Sequence, residues 1–275
     1  PVQVLIFNYP DEYKISDYLI MTSANPSGAP ICRNDEEVIK YILPICDAVL
    51  SNNREIRMRC DDSVMSWHEN KPYMIRRSRG YSPIPFMLSF DDSQILTKEN
   101  PSVENKAKSV LAIGGELKNT FCISKNDLFY PSPYIGDLAD VRSIETLKNE
   151  IELFSSLLEV KPDAIVCDMH PKYNSTLVAE ELSSKFNIPL YKVQHHFAHV
   201  VSCMAENNFT DKVIGVSFDG TGYGNDGSIW GGEFLLCDTK DFTRLGSVEP
   251  FFQAGGDLSS KEGWRIAAAI LSDAS

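Results

Sequence analysis

The feature that most constrains the fold is an alternation of strand and helix patterns in the second half of the chain. Apolar runs of strand length are separated there by stretches with helical periodicity. Strands that alternate with helices typically form a parallel sheet with helices packed on its faces. The sequence therefore predicts an α/β fold, with strands at 163–168, 189–194 and 212–219 and helices at 143–160, 175–186 and from 195 onward.

Three histidines begin the last of these helices. His195 and His199 are four residues apart and share one helix face, while Asp219 ends the next strand. Ligands of α/β sheets bind beyond the carboxyl ends of the strands, and two imidazoles with a carboxylate suit zinc or ferrous iron. The pattern predicts a metal site without choosing between these ions. Histidines with ordinary hydrogen bonds are the alternative.

Two further histidines are candidates for the same site. His196 points about 100° away from its neighbour on the helix and is expected to support a ligand or orient a substrate. It also replaces the general-base glutamate of the H-E-x-x-H pattern, which disfavours peptide hydrolysis. His170 follows Asp168 at another strand end and is a candidate to touch the metal or the reacting group, with a polar turn as the alternative.

Two glycine-rich turns suit contacts with phosphate. Glycines let backbone amides approach an anion closely, and a lysine or hydroxyl supplies a further donor. The turn GGELKN contributes Gly114, Gly115 and Lys118, of which Lys118 is also a candidate to act on the reacting phosphate. The loop DGTGYGNDG contributes Gly220, Thr221, Gly222 and Gly224. Two such loops in one sheet resemble the actin/Hsp70-type ATPase fold, in which paired glycine hairpins clasp the phosphates.

Other polar stretches extend the predicted nucleotide site. In WGGEF, Gly232 and Glu233 are candidates to contact ribose, and a plain strand is the alternative. In the first segment, the turn TSANPSG presents Ser23 and Asn25, and IRRSRG adds Arg79 for a phosphate or carboxylate. A Pro/Gly turn with local caps and a solvated arginine face are the alternatives there.

The chain divides at a polar stretch, 89–108, that reads as a linker. We predict one domain over 1–88 and a second over 89–275. In the first domain the pattern predicts a strand at 18–25 and a helix at 35–50 that is N-capped by Asp35.

Charge and cysteine usage narrow the class of protein. The net charge of −12 argues against nucleic acid as a partner, and no apolar run is long enough to cross a membrane. Seven scattered cysteines without a C-x-x-C pair indicate reduced thiols in a cytoplasmic protein, with Cys203 buried. The first residue is Pro1, and we expect the chain to be cut from a longer protein.

Taken together, these stretches resemble the HypF family of hydrogenase-maturation carbamoyltransferases. MTSANPSGAPI, RCDDSVM and IRRSRGYSPIP are similar to the C-terminal half of its YrdC-like domain. AIGGELKNTFCIS, DMHPKYNST, VQHHFAHVVSCMAE and DGTGYGNDGSIWGGEF are similar to its transferase domain. The resemblance implies a partial YrdC-like α/β domain followed by an actin/Hsp70-like (ASKHA, ribonuclease H-like) domain that is incomplete at its C-terminus.

The resemblance also implies a reaction that uses ATP and carbamoyl phosphate. The YrdC-like domain makes a carbamoyl-adenylate, and the transferase domain passes the carbamoyl group to the C-terminal cysteine of HypE. The thiocarbamate later becomes the cyanide ligand of [NiFe]-hydrogenase. By the family pattern, His195, His199 and Asp219 hold a divalent metal, iron or zinc, with Mg²⁺ as a possible companion of the nucleotide. Lys118 and 220–224 contact phosphates, and Ser23, Asn25 and Arg79 belong to the adenylation site.

Departures from the family pattern limit what this chain is expected to do alone. The N-terminal acylphosphatase domain, the zinc fingers, half of the YrdC-like domain and a later acidic metal ligand have no counterpart here. We therefore expect a fragment that does not turn over by itself. The alternatives are an antibiotic O-carbamoyltransferase, a tRNA threonylcarbamoyl transferase, which the acidic charge disfavours, and a non-catalytic nucleotide-binding module.

Overall fold

The computed structural model describes residues 2–8, 16–88 and 109–273, so the predicted linker at 89–108 lies outside the described residues. The first segment contains helix α1 (Val2–Phe7), helix α2 (Asp35–Tyr41), a 3₁₀ turn (Leu43–Ile45) and an antiparallel hairpin of β1 (Val64–His68) and β2 (Lys71–Arg76). The predicted strand at 18–25 is wrong, because that stretch has no strand pairing.

The predicted helix at 35–50 is right at its start and too long. Helix α2 ends at Tyr41, and Pro44, which has no backbone N–H, lies in the short 3₁₀ turn that follows. The cap is also one residue earlier than predicted. The side chain of Asn34, in place of Asp35, accepts the backbone N–H of Glu37 at 2.8 Å.

Six strands form the central sheet in the order β3-β6-β5-β4-β7-β8. Strands β4 (Val110–Ala112), β7 (Ala164–Asp168) and β8 (Leu190–Val193) are parallel, and for β7 and β8 the alternating pattern predicts this. The other neighbours, β3 (Phe86–Met87), β5 (Cys122–Lys125) and β6 (Leu128–Pro131), pair antiparallel. The parallel strands therefore present their carboxyl ends at one edge of the sheet.

Helices α3 (Val141–Leu158) and α4 (Asn174–Phe186) supply the crossovers between the parallel strands. Their apolar faces pack on the sheet, and the edge-to-face contact of Phe121 with Phe154, at 5.4 Å between ring centroids, lies in the middle of this core. The fully buried side chains that form its centre are Leu111, Ile113, Phe121, Ile123, Leu138, Leu147, Ile151, Phe154 and Ile165.

The predicted strand at 212–219 does not extend the parallel sheet. Strand β9 (Val213–Tyr223) pairs antiparallel with β10 (Ile229–Cys237), which pairs with β11 (Phe242–Ser247), in a separate three-stranded sheet. Strand β9 also continues beyond Asp219, so the stretch 220–223, predicted as a loop, is strand. The turn itself covers only 224–228.

Helix α5 (His195–Glu206) packs against β9 and follows β8 directly. Its N-cap is Gln194, whose side chain accepts the backbone N–H of Phe197 at 2.8 Å. Gly215 allows the close approach, because a Cβ there would lie 2.4 Å from Val200. This packing brings the first turn of α5, the end of β7 and the middle of β9 together.

The first segment contacts both the central sheet and helix α3. Strand β3, from the end of the first segment, pairs with β6. Arg59 donates to Ile31 O at 2.7 Å, to Glu37 at 2.7 Å and to Thr146 of α3 at 3.0 Å. Its backbone N–H donates to the buried carboxylate of Glu150 at 3.0 Å. The boundary between 88 and 89 stays a prediction.

The chain ends in a 3₁₀ turn (Gly256–Ser260) and helix α6 (Gly263–Asp273). Among the residues that the structure describes, none of the helices has both the length and the apolar character needed to cross a membrane.

Candidate metal centre

Three side chains converge where α5 meets β9. The Nε2 atom of His195 lies 2.8 Å from Asp219 Oδ2 and 3.2 Å from Nε2 of His199. Nε2 of His199 is 3.7 Å from the same carboxylate oxygen. One donor atom from each residue thus lies within 4.8 Å of the other two. The donor set and its spacing fit a divalent cation with two imidazoles and one carboxylate.

Asp168 adds a second carboxylate behind His195. Its Oδ2 lies 2.6 Å from His195 Nδ1, and its side chain is 6% exposed. Hydrogen bonding to Asp168, with the charges of Asp168 and Asp219, raises the pKa of His195 despite its partial burial. Sequence reasoning identified Asp168 only as a strand end, because a contact across 27 positions leaves no local pattern.

His196 is fully buried beside the candidate metal centre. Its Nδ1 lies 3.1 Å from the side-chain amide of Gln194, and burial lowers the pKa of its imidazole. It does not join the metal-binding atoms, which agrees with its predicted direction on the helix. Its Nε2 is buried, and none of the described residues hydrogen-bonds to it.

His170 belongs to the turn after β7. Its ring stacks on Tyr173 at 4.0 Å and meets Tyr223 edge-on at 5.3 Å between centroids, while Nδ1 accepts the backbone N–H of Lys172 at 3.2 Å. Among the described residues, His170 is not one of the three whose donor atoms converge at the candidate metal centre. A role for His170 toward the reacting group stays a prediction.

The glycine turn of 114–119 lies at the same edge of the sheet. Gly114 has φ 81°, and a Cβ there would lie 2.2 Å from Thr120 O, whereas Gly115 faces open space. Glu116 accepts the side-chain amide of Asn174 at 2.7 Å, which ties the turn to the start of α4, after the end of β7. Lys118 is exposed, and no contact of its ammonium group decides its predicted role.

The glycines after Asp219 divide into two groups. Gly220 and Thr221 are exposed, and Gly220 has open space around it, as contact with a phosphate requires. Gly222 and Gly224 serve packing in this structure, and their predicted phosphate contacts stay predictions. A Cβ at Gly222 would lie 2.4 Å from His196, and a Cβ at Gly224 would lie 2.1 Å from Trp230.

The predicted ribose contacts of Gly232 and Glu233 stay predictions, and both residues have close contacts within the three-stranded sheet. Glu233 is 1% exposed, and Arg244 grips both of its oxygens, at 2.7 Å and 3.0 Å. A Cβ at Gly232 would lie 2.7 Å from Val248 and 3.0 Å from Phe218. Both residues therefore contribute to the packing of β10. The charge of Glu233 is balanced by Arg244 on the neighbouring strand, and Gly232 leaves space for the side chains of Val248 and Phe218.

The residues predicted for adenylation lie on the first segment. The Asn25 amide donates to Ala29 O at 2.8 Å and so closes the TSANPSG turn, while Ser23 is exposed. Arg79 is largely exposed, donates to Cys60 O at 3.0 Å and lies 3.6 Å from Asp62. Local capping of the turn, the alternative reading, is therefore present at Asn25, and the nucleotide roles stay predictions.

One cysteine prediction is wrong. Cys203 is exposed on α5, one turn after His199, because the apolar face of the helix that packs inward is formed by Val200 and Met204. All seven cysteines are free thiols, as predicted from their spacing.

Three family models match the chain. The model described as "HypF Kae1-like domain" matches residues 105–206, and "Carbamoyltransferase, Kae1-like Domain, second subdomain" matches 215–275. The Sua5/YciO/YrdC model, described as "Telomere recombination", matches 2–78.

Curated relatives cover nearly the whole chain. It is 42% identical to the probable carbamoyltransferase HypF of Methanocaldococcus jannaschii, over 92% of this chain and 31% of that protein. Carbamoyltransferase HypF2 of Cupriavidus necator is 38% identical over 92% of this chain and 30% of its own length. The chain thus spans about a third of the length of these relatives.

A solved structure of full-length HypF, in a phosphate- and nucleotide-bound form, superposes with a TM-score of 0.80 at 40% identity. The match covers 92% of this chain and 31% of that one. HypF of T. kodakarensis superposes equally well, at 39% identity. The predicted fold class, a YrdC-like part followed by a Kae1-like transferase domain, is confirmed by this match and by the family models.

Proposed function

The chain belongs to the HypF carbamoyltransferase family, and on this premise we propose that it carries the metal-bearing carbamoyl-transfer site of such an enzyme. The observation that carries the proposal is the convergence of His195, His199 and Asp219 within 4.8 Å. The proposed substrates are carbamoyl phosphate and ATP, and the proposed acceptor is the C-terminal cysteine of a HypE-like protein.

The proposed step is an acyl transfer from a carbamoyl-adenylate. The acceptor thiolate attacks the carbamoyl carbon, a C–S bond forms, and the C–O bond to the phosphate breaks. AMP leaves with that electron pair, and the product is a thiocarbamate. A divalent ion at the site would supply positive charge for the oxygens on which negative charge develops. The described residues need no covalent nucleophile, because the attacking sulfur belongs to the acceptor.

The surrounding residues hold this site in place. His195 is fixed between Asp168 and Asp219, and Gln194 and buried His196 anchor the first turn of α5. Exposed Gly220 and Thr221 follow Asp219 directly. The Gly220 N–H donates to Asp219 Oδ1 at 2.7 Å and so orients the proposed metal-binding carboxylate, while the hydroxyl of exposed Thr221 supports the proposed phosphate contact. ATP binding here is part of the proposal and is supported by the similar structure of full-length HypF, which is in a phosphate- and nucleotide-bound form.

The test is a transfer assay in a chimaera. This chain replaces the matching region of the M. jannaschii relative, and mass spectrometry follows carbamoylation of an acceptor that ends in cysteine. We expect modification that requires ATP and carbamoyl phosphate, and at least a tenfold loss with His199→Ala, which removes a metal ligand. Cys203→Ser, one turn further on the same helix, is the matched control and should leave the activity unchanged.

Two results would contradict the proposal or its details. Full activity of the His199→Ala chimaera would show that the three residues do not form the transfer site. Robust turnover by the isolated chain would refute the expectation that it is an incomplete enzyme. A non-catalytic nucleotide-binding module, in contrast, would bind ATP in a calorimeter equally well with and without Zn²⁺ and would show no transfer.

A further inference from the structure

Asp168 has both carboxylate oxygens engaged in the structure. It is the last residue of β7, and its Oδ1 accepts the backbone N–H of His170 at 2.8 Å. Its Oδ2 accepts from His195 Nδ1 at 2.6 Å. The Thr176 hydroxyl donates to its backbone oxygen at 3.2 Å. The turn therefore holds this carboxylate in one orientation independently of His195.

The contact decides which imidazole nitrogen of His195 can face a cation. An ionised carboxylate only accepts hydrogen bonds, so Nδ1 of His195 must be the donor. When a cation is bound, the proton held at Asp168 leaves the Nε2 lone pair as the one that His195 can offer to the cation. That nitrogen is the one that faces Asp219 at 2.8 Å and His199 at 3.2 Å.

We propose that Asp168 is a positioning residue that sets the tautomer and ring orientation of the metal ligand His195. The inference rests on the proposed metal site and deepens it. Asp168 is not itself among the metal-binding atoms of the described residues, because it contacts the opposite edge of the ring. Carboxylates that hold a ligating histidine in this way commonly change metal affinity by about 10–100-fold when they are removed.

The test is Zn²⁺ binding to the full chain, measured by competition with a chromophoric chelator. In Asp168→Asn, one side-chain oxygen must serve two donors, and the amide nitrogen cannot accept from His170 or from His195. We expect Zn²⁺ affinity to fall by about 10–100-fold. Thr176→Val is the matched control, since it weakens the same turn without touching His195, and it should leave Zn²⁺ affinity unchanged.

A second readout separates positioning from simple loss of structure. The Nδ1 proton of His195 should appear in NMR spectra of the wild type and of Thr176→Val as a hydrogen-bonded imidazole proton. It should be lost in Asp168→Asn, while the backbone amide spectrum stays folded.

The outcomes distinguish this inference from the function on which it rests. Wild-type Zn²⁺ affinity and a retained Nδ1 proton in Asp168→Asn would overturn the positioning role and reduce Asp168 to a cap of its turn. Failure of the wild type to bind Zn²⁺ would overturn the proposed metal site and this inference with it.

Discussion

At Gly222 the backbone of β9 passes so close to α5 that a methyl group has no space. A Cβ there would lie 2.4 Å from His196 and 3.0 Å from His195. We expect Gly222→Ala to destabilise the fold by about 1–3 kcal/mol, as overpacking does, and to weaken Zn²⁺ binding because the ligand helix shifts. Urea unfolding and a chelator titration measure the two effects.

Gly220, two residues earlier on the same strand, is the control. A Cβ there meets no atom within 4 Å, so Gly220→Ala should leave stability and Zn²⁺ affinity close to those of the wild type. Equal behaviour of the two variants would contradict the packing role of Gly222.

Glu150 predicts a pH dependence of stability. Burial raises the pKa of its carboxyl above the usual range of a glutamate, although the Arg59 N–H and nearby guanidinium groups act in the opposite direction. The folded state therefore holds this proton more tightly than the unfolded state. The stabilising contribution is fully present below the unfolded pKa and is lost as pH rises through the folded pKa.

Glu150→Gln removes this titration while its oxygen can still accept from Arg59. We expect the free energy of unfolding of the variant, relative to the wild type, to increase as pH rises through the raised pKa. Urea denaturation at several pH values between 4 and 8, on the order of one unit apart, measures this difference. Glu145→Gln, at an exposed position of the same helix, controls for the loss of one negative charge. A difference that is constant with pH would contradict the prediction.

At the scale of elements, an ion pair between neighbouring strands stabilises the three-stranded sheet of β9, β10 and β11. Glu233 is buried on β10, and Arg244 of β11 grips it and lies 4.2 Å from the Trp230 ring centroid. Arg244→Met leaves a buried carboxylate without its counter-charge, which typically costs 3–5 kcal/mol in a fully buried pair. Because the Arg244 side chain is 33% exposed, we expect a loss of about 2–3 kcal/mol in urea unfolding.

A double variant checks that charge is the cause. Adding Glu233→Gln to Arg244→Met should recover part of the lost stability, since a neutral amide needs no counter-charge. Thr243→Met, an exposed neighbour on β11, should cost little. No recovery in the double variant would show that packing, and not the charge, explains the loss.

The elements themselves were largely predictable because their signals are local. The periodicities that predicted α3, α4 and α5 and the strands between them depend on burial of one face, and the structure has that burial. The partner of β9 was not predictable, since an apolar strand has the same sequence pattern in a parallel or an antiparallel sheet.

The helical spacing of His195 and His199 located the candidate metal centre. Asp168 and the role of Gly222 were missed because they depend on contacts across tens of residues.

At the scale of the whole molecule, Arg59 connects the first segment to α3. Its side chain is 14% exposed and bonds to Glu37, Ile31 and Thr146. We expect Arg59→Ala to release the first segment, so that limited proteolysis cuts within 16–88 at least tenfold faster while 109–273 stays resistant. Arg57→Ala is the control, since the Arg57 side chain is 79% exposed and lies 3.7 Å from Glu55. Equal cleavage rates for both variants would contradict the role of Arg59.

The pairing of β3 with β6 bears on how the two halves can be produced as separate polypeptides. Phe86 and Met87 hydrogen-bond to the ladder of β6, and Ser82 donates to Pro131 O at 3.0 Å. A transferase half that begins after residue 88 would lack the edge strand β3. Strand β6 would then be an unpaired edge that can associate with other chains. Start codons placed before Ser82 should therefore yield the more soluble transferase half.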